Sequence, residues 1–302
     1  MAKLEDEWDQ LGQSLHVAVE LLSDFGLSGG ALTADSVLIP VAYYVHHRKL
    51  THAYRESPNT REDRDALRSW VLRSLIVRGV WGSGLDTLLR DLREAIRTAG
   101  SESFPLAGFE KAMALRGKSL AVTDELIEDV LNLEYGKPRT FPVLAALFPH
   151  VDTRNVHHVD HVFPVAQLQR KRLAALQTPD GTPLLSDADI AELAARRDRL
   201  PNLELLQGLE NIGKSDQAPD VWLAQAYPSD AMRGAFLERN SLPSPLPHSA
   251  TEFAEFYDAR RDLLATLIRT RLQTQVAQPS PGPSGPPGSH LDQEVLEGDF
   301  ED

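Results

Sequence analysis

A chain of 302 residues with 42% hydrophobic and 25% charged residues can hold two domains and has an ordinary globular composition. It contains no Cys, which excludes disulfides, thiolate nucleophiles and every Cys-containing zinc site, so any metal must bind oxygen or imidazole. The net charge of -13 argues at first sight against a polyanionic partner. Six of the acids, however, lie in the last eleven residues and leave -7 on the rest, while basic residues gather in knots at Arg170 to Arg172, at Arg196, Arg197 and Arg199, and at Arg260 and Arg261. Such knots usually form solvated helix faces, so charge neither supports nor excludes nucleic acid.

Residues 4–133 carry apolar side chains at spacings of three and four, which predicts an all-helical domain over 1–140. Trp8, Leu11, Leu15, Val19 and Leu22 form the first expected core stripe. Leu67, Trp70, Val71, Ser74, Leu75 and Arg78 form the second, and Leu85, Leu88, Leu89, Leu92 and Ile96 the third. Gly-containing breaks at 26–30 and 79–84 separate them. The composition changes at 136–149, where three prolines flank a short apolar run, and a domain boundary is expected there.

The second expected domain, 141–276, opens with a strand: Val156, Val159 and Val162 alternate with polar residues before Pro164 closes the run. Two helices are expected next, over 166–177 and 187–200, the second started by Ser186 with Asp189 three residues on. A second strand runs from Asn202 to Leu206, followed by a helix from about 209 and a C-terminal helix over 252–276. The tail, 277–302, is rich in Pro, Gly and acids and is expected to stay disordered. The N-terminus lacks a basic segment followed by an apolar run, and no stretch approaches the ~20 apolar residues of a membrane span. A cytoplasmic location is the expectation.

The residues with chemical potential are Asp160 and His161 at the end of the first strand, Asn202 at the start of the second, and Asn211 and Lys214 beyond it. On a helix, Asn211 and Lys214 would share a face. Hydrolysis of a phosphodiester needs a base for water, a hard cation, and a positive or donor group for the added charge. A carboxylate with an amide oxygen suits Mg²⁺, with Mn²⁺ as a substitute, because that ion keeps several waters. A His whose second ring nitrogen is held by an acceptor is the better base, and Asn202 is a candidate for that acceptor. Taken one by one, Asn211 could be a helix N-cap and Lys214 a surface lysine.

The order of Asp160-His161 with Pro164, then Asn202-x-x-Leu205-Leu206, then Asn211-x-Gly213-Lys214-Ser215-Asp216 resembles the His-Asn-His (ββα-metal) nuclease superfamily. The run from Asn202 to Asp216 is similar to the strand-to-helix segment of that domain in CRISPR effector nucleases. The whole region, with the helical stretches SVLIPVAYYVHHR and LRSWVLRSLIVRGVWG, resembles the C-terminal part of GmrSD-type (type IV) restriction proteins over about residues 30–225. The resemblance implies a mainly α chain: a helical N-terminal domain followed by a small α+β nuclease domain with helical insertions. It implies a Mg²⁺-dependent DNA endonuclease, the cleaving subunit or C-terminal part of a system that attacks modified phage DNA. In that scheme His161 activates water, Asp160 and Asn211 hold the metal, Asn202 orients His161, Lys214 stabilises charge on the phosphate, and His158 assists from behind. A ParB-like NTP-using sensor domain, whose Asp-Gly-Gln-Gln-Arg signature has no counterpart in this sequence, would be the partner. The alternative is a catalytically silent DNA-binding or regulatory module on the same fold. A third reading, a metallo-β-lactamase-like site built on His158-x-Asp160-His161, lacks downstream ligands, since only His248 and His290 follow.

Overall fold

The computed structural model describes residues 7–27, 31–151, 155, 157–207 and 214–272. Within them the chain is mainly α with one two-stranded antiparallel sheet. Among the described residues, seven helices of eight or more residues precede the sheet: α1 (Trp8–Asp24), α2 (Leu38–His47), α3 (Arg61–Ile76), α4 (Leu85–Ala99), α5 (Leu106–Ala114), α6 (Asp124–Leu131) and α7 (Thr140–Leu147), with a shorter helix at Ala53–Glu56. Strand β1 (His157–His161) pairs with β2 (Leu203–Gln207) across a connection that holds α8 (Arg170–Ala174) and α9 (Asp187–Arg196). Helices α10 (Pro219–Ala226), α11 (Asp230–Arg239) and α12 (Phe253–Leu272) complete the described chain. The predicted tail, Asn211 and most of the helix expected from 209 lie outside the described residues. Among those described, no helix is long and apolar enough to cross a membrane.

Two cores result. The first is built from the seven N-terminal helices, around Trp70 with its edge-on neighbour Phe109 at 4.9 Å, and extends to Leu203 and Leu205 of β2 and to Leu264, Ile268 and Leu272 of α12. The second gathers Val162, Phe163, Leu168, Leu193, Leu206, Trp222 and Phe236 with Phe253, Phe256 and Tyr257 from the start of α12. Strand alternation explains the division, because residues 203 and 205 of β2 point to one face and 206 to the other. Helix α12 therefore belongs to both cores. Within the expected boundary at 136–149, Gly136, Lys137 and Pro138 are exposed, whereas α7 is buried along nearly its whole length and packs against the sheet.

Of the stripes expected on α3 and α4, Leu67, Trp70, Val71 and Ser74 on the former and Leu88, Leu92 and Ile96 on the latter are buried, while Leu75, Leu85 and Leu89 are half-buried and Arg78 lies exposed beyond the end of α3. The expected stripe on α1 needs correction. Its buried face is Ser14, Val17, Ala18, Leu21 and Leu22, whereas Trp8 is 66% exposed and Leu15 and Val19 lie open as well. Two apolar columns run along this helix, and the one carrying the small Ser14 and Ala18 admits the close approach of α2.

The start signal read at Ser186 is present as a full capping box, with Ser186 Oγ accepting from the Asp189 N–H and Asp189 accepting from Ser186. Replacing Ser186 by Ala should cost about 1 kcal/mol, read as a lowered urea midpoint at constant m-value.

Candidate active site

The hairpin register puts Asp160 directly opposite Glu204, and His161 opposite Leu203. Like charges facing each other across a strand pair are destabilising, and Glu204 is 2% exposed, so this pair requires a cation. Lys214 supplies it. Lys214 is 1% exposed, and its Nζ donates to Asp160 Oδ2 at 2.7 Å, to Glu204 Oε1 at 2.5 Å and to the His161 carbonyl at 2.6 Å, and lies 5.4 Å from the centre of the Trp222 ring. All three ammonium protons are thus engaged. The expectation that Lys214 faces a phosphate is corrected: it is a buried tie between the strands and the segment that follows them.

A second buried cation stands behind Glu204. Arg260 of α12, read in the sequence as part of a solvated knot, is fully buried and donates from Nη1 to the Pro201 carbonyl at 3.1 Å. Burial pushes its pKa down to about 10 while Glu204 pulls it up, so it stays charged at neutral pH. Buried Glu204 and half-buried Asp160 thus stand against two buried cations, Lys214 and Arg260.

On the other face of β1 lies His161. Its Nε2 is 3.0 Å from Asp198 Oδ1, and its ring rests on Tyr135 with centroids 4.6 Å apart. Asp198 accepts from Arg197 on its second oxygen at 2.7 and 3.0 Å, giving a chain from Arg197 through Asp198 to His161. With an acceptor on Nε2, the ring carries its proton there and its lone pair on Nδ1. Burial lowers the His161 pKa from its ordinary value, Asp198 and Asp160 oppose that shift, and Lys214 reinforces it; the net direction is down. Burial would raise Asp198, but its bonds to Arg197 and His161 outweigh this and hold its pKa below the usual carboxylate range.

Asn202 was expected to hold the His161 ring, and it does not. It is completely buried, its Oδ1 accepting from the Phe163 N–H at 2.8 Å and its Nδ2 donating to the carbonyls of Phe163 at 3.1 Å and Arg197 at 2.8 Å. It fastens the chain leaving β1 to the turn that carries Asp198, which is the residue that holds the imidazole. No sequence signal singled out Asp198 or Glu204, because each is one acid among many.

His158 and Asp160 share a strand face and line a cleft of about 390 Å³ with Tyr135, Lys137 and Phe141. Lys137 is the exposed cation on this wall. Asp160 fits the demand of a hard cation: Lys214 occupies Oδ2, and Oδ1 makes no hydrogen bond among the described residues. The other expected ligand, Asn211, lies outside the described residues. Alternation sets the side chains of Asp160 and His161 on opposite faces, although both stand at the same end of the hairpin.

No protein-family model matches the chain, and no curated protein sequence matches it.

The pH dependence of the His161 pair has a definite sign. An imidazole kept neutral by burial binds its proton later than in the unfolded chain, so its contribution to stability is complete above about pH 6.5 and is lost as pH falls from there towards its lowered folded pKa. A base with this pKa works on a plateau at neutral pH. Replacing Asp198 by Asn removes two influences that raise the His161 pKa. The acid limb of any His161-dependent activity should then move to lower pH while the plateau rate falls, and an unmoved limb would show that Asp198 does not act on the ring.

Proposed function

We propose that the hairpin and its surroundings form a metal-dependent phosphodiesterase site that cuts DNA, with His161 as the base that activates water. The observation that carries this reading is the bonded chain Arg197–Asp198–His161. It fixes the tautomer of a neutral imidazole and stabilises the proton that the ring takes up, the two requirements of a general base near neutral pH. Asp160, through Oδ1, is the described residue that would hold a magnesium ion, which would supply charge neutralisation of the phosphate and of the leaving oxygen. Lys214 holds Asp160 in place through Oδ2. Lys137, on the cleft wall, takes the part of a cation for the phosphate that Lys214 cannot play.

The assignment to a type IV restriction system, with modified phage DNA as substrate and a ParB-like NTP-using subunit or domain as partner, rests on the motif resemblance. One observation favours a second reading, a module that binds DNA without turnover: Lys214, the motif's cation, is committed to internal bonds. Plasmid nicking assays with Mg²⁺ or Mn²⁺ separate the two. Cleavage that disappears in His161→Ala and persists in Arg261→Ala supports the enzyme. Binding without cleavage, with either metal and with the sensor partner added, would overturn it in favour of the module.

A further inference from the structure

A second cluster of metal-ligating side chains lies on α1, in the other half of the molecule and independent of the nuclease reading. His16 and Glu20 are one helical turn apart and so project from one face. His52, at the foot of the short helix Ala53–Glu56, comes in from across the fold. One ligand atom from each of the three lies within 4.8 Å of the others, and the two imidazoles meet edge to face with centroids 5.6 Å apart. His52 Nδ1 is 2.6 Å from Glu20 Oε2, whereas His16 Nε2 is 3.5 Å from Glu20 Oε1.

The surroundings orient this group. Arg55 is locked onto Asp24 by two bonds of 2.6 and 2.8 Å, and its Nη1 lies 3.0 Å from Glu20 Oε2. It pins one carboxylate oxygen and turns the other, Oε1, towards His16, as the outer partners of metal-binding carboxylates do. The charges point the same way. Glu20 and Asp24 against Arg55 leave one negative charge, which a divalent cation would more than compensate. Ligand atoms in a tetrahedral zinc site lie ~3.3 Å apart, so separations of up to 4.8 Å need to close by up to about 1.5 Å, within reach of exposed imidazoles.

We propose that His16, Glu20 and His52 form a zinc site, with its fourth position open to water, that clasps α1 to the segment beginning at His52. Two imidazole nitrogens and one carboxylate oxygen are a zinc donor set, and they disfavour Mg²⁺ and Ca²⁺, which take oxygen ligands. The clasp binds the folded chain only, so zinc stabilises it by mass action.

The test is zinc titration of the chelator-stripped full chain in competition with a chromophoric indicator, beside His16→Ala, His52→Ala and His161→Ala variants. The expected result is one equivalent bound by the wild type and by His161→Ala, lost in His16→Ala and His52→Ala. Zinc should also raise the melting temperature of the wild type by about 3 °C or more, and leave the two clasp variants unmoved. His16 and His52 are exposed, and circular dichroism of the variants checks that the fold is kept. Failure of the wild type to take up zinc, or equal uptake by a folded His16→Ala/His52→Ala double variant, would overturn the proposal.

Discussion

Replacing Lys214 by Met is expected to destabilise the protein by about 3–5 kcal/mol, the effect of removing one partner from a buried ion pair. The volume of the side chain is nearly conserved, so the loss is electrostatic rather than a cavity. Two carboxylates, Asp160 and Glu204, would face each other across the hairpin, with Arg260 as the nearest compensating charge and the His161 carbonyl without its donor. Urea unfolding followed by circular dichroism measures the loss. Adding Glu204→Gln to Lys214→Met should recover part of it, because the repulsion then has one source fewer, and such non-additivity is the mark of direct coupling. A loss below about 1 kcal/mol, typical of a surface pair, would contradict the buried tie described above.

The second large effect is on activity. If His161 is the base, His161→Ala should lower the cleavage rate by about 10²- to 10⁴-fold, the usual worth of a positioned general base. The decrease should appear in kcat with substrate binding little changed, since the ring acts on water rather than on the DNA. The same loss is expected with Mg²⁺ and with Mn²⁺, because neither metal replaces the proton acceptor. A variant within threefold of wild type would remove His161 from the chemistry, and Asp160→Asn would then be the variant to follow, as Asp160 lines the cleft.

Much of this architecture could be read from the amino acids, and what could not has physical reasons. The hairpin was legible because Val159 and Val162 alternate with polar residues and Pro164 stops the run, and the start of α9 because a side-chain cap is a local device spanning three residues. The buried face of α1 was not, since the helix carries two apolar columns and only the partner helix selects between them. Arg260 and Arg261 look identical in sequence, yet one is sealed beneath β2 and the other meets Glu128 at the surface. Within the candidate site, His161 and Asp160 were picked out by type and order. Asp198 was hidden in an Arg-rich run at the end of α9, and its role depends on a contact across 37 positions that no local pattern encodes. Asn202 was expected at the right place for the wrong bond: an amide has both donors and acceptors, and the backbone of the adjoining turn claimed them.

Helix α12 has twenty residues and so measures roughly 30 Å, with its first turns seated among the aromatic rings near Phe163 and its last turns among the N-terminal helices. A rod anchored at both ends behaves as a splint. Because Arg260 sits partway along it, touching the carbonyl just before Asn202, the splint is fastened beside the hairpin as well as at its two ends.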